Sequence, residues 1–219
     1  RGLGYYSRAR NLHRAANEIV VRHGGQLPSD PEALRALPGF GPYTAGAVAS
    51  IAFDREAPLV DGNVARVFSR IFEVEGVPGD RARERRLWAL AAELVRGERP
   101  GALNQALMEL GATVCRVENP SCLLCPARAH CGALMHGRVS ELPPSRVRAP
   151  RQVLRMAVAV CRRGGRVLVA RRKEGGLFGG LWELPSIEVP AEAGRAEVSR
   201  ALRSLVGAAP GATLGTVRR

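Results

Sequence analysis

The sequence predicts two domains, an all-α domain followed by the start of an α+β domain. Three observations carry this. Apolar residues recur at helical spacing as far as Cys131, and nothing before that point reads as a strand. Prolines 143, 144 and 150 then make a stiff, extended stretch. Beyond it the period changes and β-branched residues dominate. The expected boundaries are a helical domain at 1–137, a linker at 138–150 and a partial second domain at 151–219.

The helices follow in order. From Ser7 to His23 the apolar positions are Leu12, Ala15, Ala16, Ile19 and Val20, and Gly24-Gly25 stops the run. Asp30-Pro31-Glu32 reads as an N-cap, a proline at the first helical position and an acidic first turn. Further helices are expected at about 43–53, 63–74, 81–96 and 102–115. Leu87, Leu90, Ala91 and Leu94 line one face of the helix at 81–96. In the second domain, Val153 to Cys161 and Arg166 to Arg171 read as strands joined at Gly164-Gly165, a hairpin signal. Residues 194–206 return to helix.

Composition narrows the function. The 219 residues carry a net charge of +13, which favours a polyanionic partner, most simply nucleic acid. Only Lys173 is lysine among the 33 basic residues, a skew that codon bias can produce, so no single arginine carries weight from sequence. Four of five cysteines cluster, which argues against the spread disulfide framework of a secreted protein and for metal binding in a reducing compartment. No apolar run approaches the ~20 residues of a membrane span, and no signal segment opens the chain. The expected location is the cytoplasm, and the nucleoid if the source is bacterial.

Three segments carry chemistry. Cys115, Cys122, Cys125 and Cys131 are separated by gaps of six, two and five residues. Zinc and a [4Fe–4S] cluster both accept four thiolates, and zinc ribbons usually use two Cys-x2-Cys knuckles where this chain has one. Cys161 stands apart, in an apolar strand, as a core residue. Second, Pro38-Gly39-Phe40-Gly41 joins two helices, and its glycines let backbone N–H groups approach an anion closely. Third, Asp61-Gly62-Asn63 opens a helix, with Asp61 as N-cap.

Together these segments resemble the helix-hairpin-helix DNA glycosylases that carry an iron–sulfur cluster, and the region after the cysteines is similar to the adenine DNA glycosylase (MutY) family. The resemblance implies a [4Fe–4S] cluster on the four cysteines, with 115–131 as a DNA-contacting loop in which Arg116 can meet a phosphate. It implies that Gly39 and Gly41 donate backbone N–H groups to DNA. It gives Asp61 the role of a carboxylate that stabilises positive charge on the sugar as the N-glycosidic bond breaks. Asn63 helps orient the site and the reactive water, and Gln105 lines the adenine pocket. Tyr43 stands where relatives with lyase activity place the Schiff-base lysine, so the expected enzyme is monofunctional. Tyr5, in Gly2-Leu3-Gly4-Tyr5-Tyr6, resembles the wedge beside the damaged guanine.

The resemblance also implies a general-acid Glu on a helix upstream of that segment, and no Glu in this chain matches it. The chain does not begin with Met, and it reads as a fragment truncated at both ends. Arg166–Arg172 and Gly179–Pro185 resemble a Nudix-like domain, but Arg200–Gly207 lacks the carboxylates of active Nudix enzymes. The expected function is removal of adenine opposite 8-oxoguanine or guanine from double-stranded DNA, by a monomer. Thymine-mismatch or other helix-hairpin-helix glycosylases are the alternative enzymes. A catalytically inactive DNA-binding fragment is the alternative of a different class.

Overall fold

The computed structural model describes residues 6–145, 153–174 and 178–207, with only the backbone of Tyr6. The chain divides into two compact units, Arg1–Val147 and Arg148–Arg219.

The first unit is helical. Helix α1 spans Tyr6–His23 and α2 spans Pro31–Ala36. Asp30 caps α2 by accepting the Ala33 N–H at 2.8 Å, with Pro31 at the first helical position. Helix α3 (Pro42–Phe53) buries small residues, Ala45, Gly46, Ala49 and Ser50. That stripe lets other backbone come close: a Cβ at Gly46 would collide with the Pro58 carbonyl oxygen. Ala15, Leu34, Leu37, Ala45, Ala49 and Ala57 form the core between α1, α2 and α3.

Helix α4 (Gly62–Ile71) is the centre of the unit, with Val67, Phe68, Ser69 and Arg70 buried in succession. A helix buried on several faces must meet packing partners all round. Its partners include α5 (Arg81–Leu94), capped by Asp80, and α6 (Pro100–Glu109). Leu59, Val64, Val67, Phe68, Leu87 and Leu90 form the second core. Each such side chain contributes about 1.5–3 kcal/mol by leaving water.

Helix α6 does not run on to Cys115 as expected. A π turn, Leu110–Val114, follows it, and the Cys115 N–H reaches back to the Leu110 carbonyl at 2.7 Å. The cysteine loop then contains two 3₁₀ turns, Cys122–Leu124 and Arg128–His130, and leads into α7 (Gly132–Met135). The helix expected at 63–74 stops at Ile71, because Glu73 takes a left-handed φ of 50°.

Among its described residues the second unit contains short strands and one long helix. β1 (Arg155–Val158) pairs antiparallel with β6 (Ser186–Val189), in the register Arg155↔Val189. β2 (Arg162–Arg163) pairs with β3 (Arg166–Val167), and β4 (Ala170–Arg171) with β5 (Trp182–Glu183). The Gly164-Gly165 hairpin is therefore present, but its arms are two residues each. The long run 153–161 instead finds its partner almost thirty residues downstream. Helix α8 (Arg195–Val206) packs Leu202 against Ala157 and Val189. No described helix is long and apolar enough to cross a membrane.

Candidate functional site

The N-terminus of α4 presents Asp61. Its Oδ1 accepts the Val64 N–H at 2.7 Å, as an N-cap should. Its Oδ2 accepts the Asn63 side-chain amide at 3.3 Å. Asp61 is half-buried, and these two bonds fix the orientation of a carboxylate that still faces solvent. Asn63 in turn accepts from the Arg66 guanidinium at 2.9 Å. Arg66 also donates to the carbonyls of Cys115 at 2.8 Å and Gly111 at 2.7 Å. One turn on, Arg70 is 4% exposed and donates to the carbonyls of Arg116, Val117 and Leu142 and to the Cys115 sulfur at 3.4 Å. One helix therefore aims the carboxylate at its start and holds the cysteine loop further along.

The hairpin lies between α2 and α3. Gly39 has a φ of 84°, and a Cβ there would press on Asn11 Cβ at 2.7 Å, so both backbone and space require glycine. Gly41 differs. It is the N-cap of α3, has ordinary φ, and a Cβ would meet nothing within 4 Å. No side chain caps α3, and Pro42 at its first position has no N–H, so the N–H groups of Tyr43 and Thr44 lack a side-chain cap. That is a ready anion site. Tyr43, in that first turn, is 40% exposed, and its hydroxyl lies 3.6 Å from Met108 Sδ on α6. In the π turn that follows α6, a Cβ on Gly111 would approach Asn63 Cβ to 2.6 Å. The α6 segment thus reaches both Tyr43 and the start of α4.

Gln105 is exposed on α6 and donates its side-chain amide to the Gly101 carbonyl at 3.2 Å, which leaves its oxygen free. Its neighbour Asn104 is buried, and donates to Ser50 Oγ at 2.8 Å and the Ala57 carbonyl at 3.0 Å. Asn104, Arg66 and Arg70 escaped the sequence reading. Their signal was available: a polar residue on the apolar side of α6, and two arginines at i, i+4 on a helix rich in Val and Phe. Tyr5 lies outside the described residues.

Cys115, Cys122, Cys125 and Cys131 all line one cavity, closed on its other sides by Val67 and Leu110 among others. Burial pushes the Cys131 thiol above its ordinary pKa, and its Sγ donates to the Arg70 carbonyl at 3.5 Å. Among the described residues no group of three or more His, Cys, Asp or Glu is arranged to hold a single metal ion. Four thiols around a shared, mostly apolar space are a donor set that fits an iron–sulfur cluster. Arg116 is occupied within the loop, donating to the Asn119 carbonyl at 3.0 Å.

Residues 1–93 match the HhH-GPD superfamily of base excision DNA repair proteins. An adenine DNA glycosylase of Arabidopsis thaliana is 42% identical over 88% of this chain and 32% of its own length. The Homo sapiens adenine DNA glycosylase is 39% identical over 85% of this chain and 42% of its own. The chain thus spans about a third to a half of the length of these curated relatives. Among solved structures, a thermostable thymine-DNA glycosylase is 32% identical with a TM-score of 0.52, covering 62% of this chain and 61% of that one. A trapped endonuclease III–DNA covalent intermediate, an estranged-adenine complex, is 26% identical with a TM-score of 0.51 over 62% of each chain.

Proposed function

We propose that the chain belongs to the adenine DNA glycosylase family of helix-hairpin-helix repair proteins, and that the whole protein excises adenine paired with 8-oxoguanine or guanine in double-stranded DNA. The observation that carries cleavage of the glycosidic bond is Asp61, a carboxylate fixed by the Val64 N–H and the Asn63 amide at the mouth of α4, and the likeness to adenine DNA glycosylases supports adenine as the base. As the bond from the sugar to adenine breaks, its electron pair leaves with the base and positive charge grows on the sugar. A preoriented carboxylate stabilises that charge without having to reorganise. Water then adds to the anomeric carbon, and Asn63 orients it. Gln105 offers its free amide oxygen to the flipped base. Protonation of the leaving adenine is assigned to no residue of this chain.

The backbone of Gly39, Gly41 and the first turn of α3 holds a DNA phosphate. Tyr43 has no amine, so no Schiff base forms at this position and the sugar is left unopened there. The four cysteines would hold a [4Fe–4S] cluster, which when bound supplies a rigid cross-link of the 115–131 loop. The second unit acts as a Nudix-like reader of the opposite strand. The protein works as a monomer in the compartment that holds DNA.

The likeness to a thymine-DNA glycosylase favours one other reading, thymine release from T:G pairs. Single-turnover assays of the whole protein on A:8-oxoguanine and T:G duplexes separate the two. Asp61→Asn keeps an N-cap side chain and should lower adenine release by about 10²–10³-fold. Release of thymine in place of adenine, or a loss under tenfold in the variant, overturns the proposal.

A further inference from the structure

Charge is divided unevenly between the two units. Residues 148–219 hold 14 Arg and Lys against five Glu and no Asp, a net +9. Residues 1–147 hold 19 basic against 15 acidic residues, a net +4. A third of the chain carries most of the basic excess.

The β2–β3 hairpin concentrates it. Arg163 and Arg166 face each other directly across the strands, and all of Arg162–Val167 is exposed. Directly opposed residues project from the same face, with their Cβ atoms about 4.5–5.5 Å apart. Like charges in that position destabilise a ladder, and this hairpin has only two residues per arm. The turn is a tight one, with Gly164 and Gly165 both at positive φ, 51° and 79°. The ion pairs of this unit join Arg171 to Glu174 and Arg172 to Glu183. Among the described residues none engages Arg162, Arg163 or Arg166. Two exposed arginines thus stand opposite each other at the hairpin tip, and among the described residues no acid pairs with either.

We infer that Arg163 and Arg166 form a phosphate clamp on the backbone of duplex DNA. The inference rests on the DNA reading above. A guanidinium pair matches phosphodiester oxygens by bidentate hydrogen bonding. It touches no base edge, so it adds affinity and leaves base discrimination unchanged.

The test uses the whole protein with Arg163→Gln/Arg166→Gln, and Arg163→Lys/Arg166→Lys as the charge-retaining partner. Duplex Kd is measured at several salt concentrations, for mismatched and matched duplexes. Two lost phosphate contacts should reduce the salt slope by about 1.8, so that between ~50 and ~200 mM salt the wild type loses about tenfold more affinity than the Gln variant. The Lys variant should restore most of the slope, and the ratio of mismatched to matched affinity should stay constant in both. An unchanged slope in the Gln variant overturns the clamp while leaving the glycosylase reading intact. A wild type that fails to bind duplex overturns both. A changed mismatch ratio overturns the assignment to the backbone.

Discussion

The two units use arginine in opposite ways. In the helical unit Arg70 is buried, and every part of its guanidinium meets a carbonyl or a sulfur. In the second unit Arg163 and Arg166 stand exposed at a hairpin tip, opposed to each other. The same side chain is a framework element in one place and a surface charge in the other. Environment separates the two uses: a buried guanidinium must satisfy its donors inside the fold, whereas an exposed one leaves them to water or a ligand.

Mutation should widen that contrast. Arg70→Leu should cost at least about 3 kcal/mol, because three carbonyls lose their donor and each orphan costs about 1–3 kcal/mol. Arg70→Lys should recover only part, since an ammonium lacks the planar fork. Arg163→Gln should fall within about 0.5 kcal/mol of wild type. Thermal or urea unfolding of the whole protein reads all three, and equal losses at positions 70 and 163 would erase the distinction.

Packing gives a smaller version of the same comparison. Gly46→Ala places a methyl group on the Pro58 carbonyl, and overpacking of this kind costs about 1–3 kcal/mol. Gly194, the N-cap of α8, has nothing within 4 Å of an added Cβ and should accept alanine with far less loss. Comparing the two melting temperatures is the check.

The smallest effect concerns acid. Hydrogen bonds from the Arg83 and Ala82 N–H groups hold the Asp80 carboxyl below its ordinary pKa of 3.8. A depressed pKa in the folded state means that the stabilisation is present above the unfolded value and fades as pH falls through the folded one. The melting difference between wild type and Asp80→Asn should therefore be larger at pH 7 and shrink below about pH 4. A difference that grows on acidification would contradict this.

The same contrast explains what was legible in the sequence. Helices α1 to α5 declared themselves, because caps and spacing act within a few residues: Asp30-Pro31 at α2 and the Gly24-Gly25 stop are both found as read. The pairing of β1 with β6 was not legible, since the two lie almost thirty residues apart and no local period reports it. Nor was the π turn before Cys115, which depends on how α4 holds Gly111 and Cys115. Motif singles out Asp61 and Asn63 as candidates, but it gives no weight to the arginines beyond them in a chain whose basic residues are nearly all Arg. Asn104 and Gln105 show the limit most clearly. They are sequence neighbours, yet the phase of α6 buries the first on Ser50 and exposes the second.

Arg70 also ties a noose. It grips the chain at Cys115 to Val117 and again at Leu142, so the intervening segment is a loop with both ends fastened to one side chain. The entropy of a closed loop rises only with the logarithm of its length, about 0.6 kcal/mol for each doubling. Extra residues between the fastenings therefore cost the fold little, whereas a shift of one residue on α4 would swing the fastener about 100° around the helix axis. A protein engineer has room to lengthen the stretch between Cys131 and Leu142, outside the cysteine spacings, and must leave the knot alone.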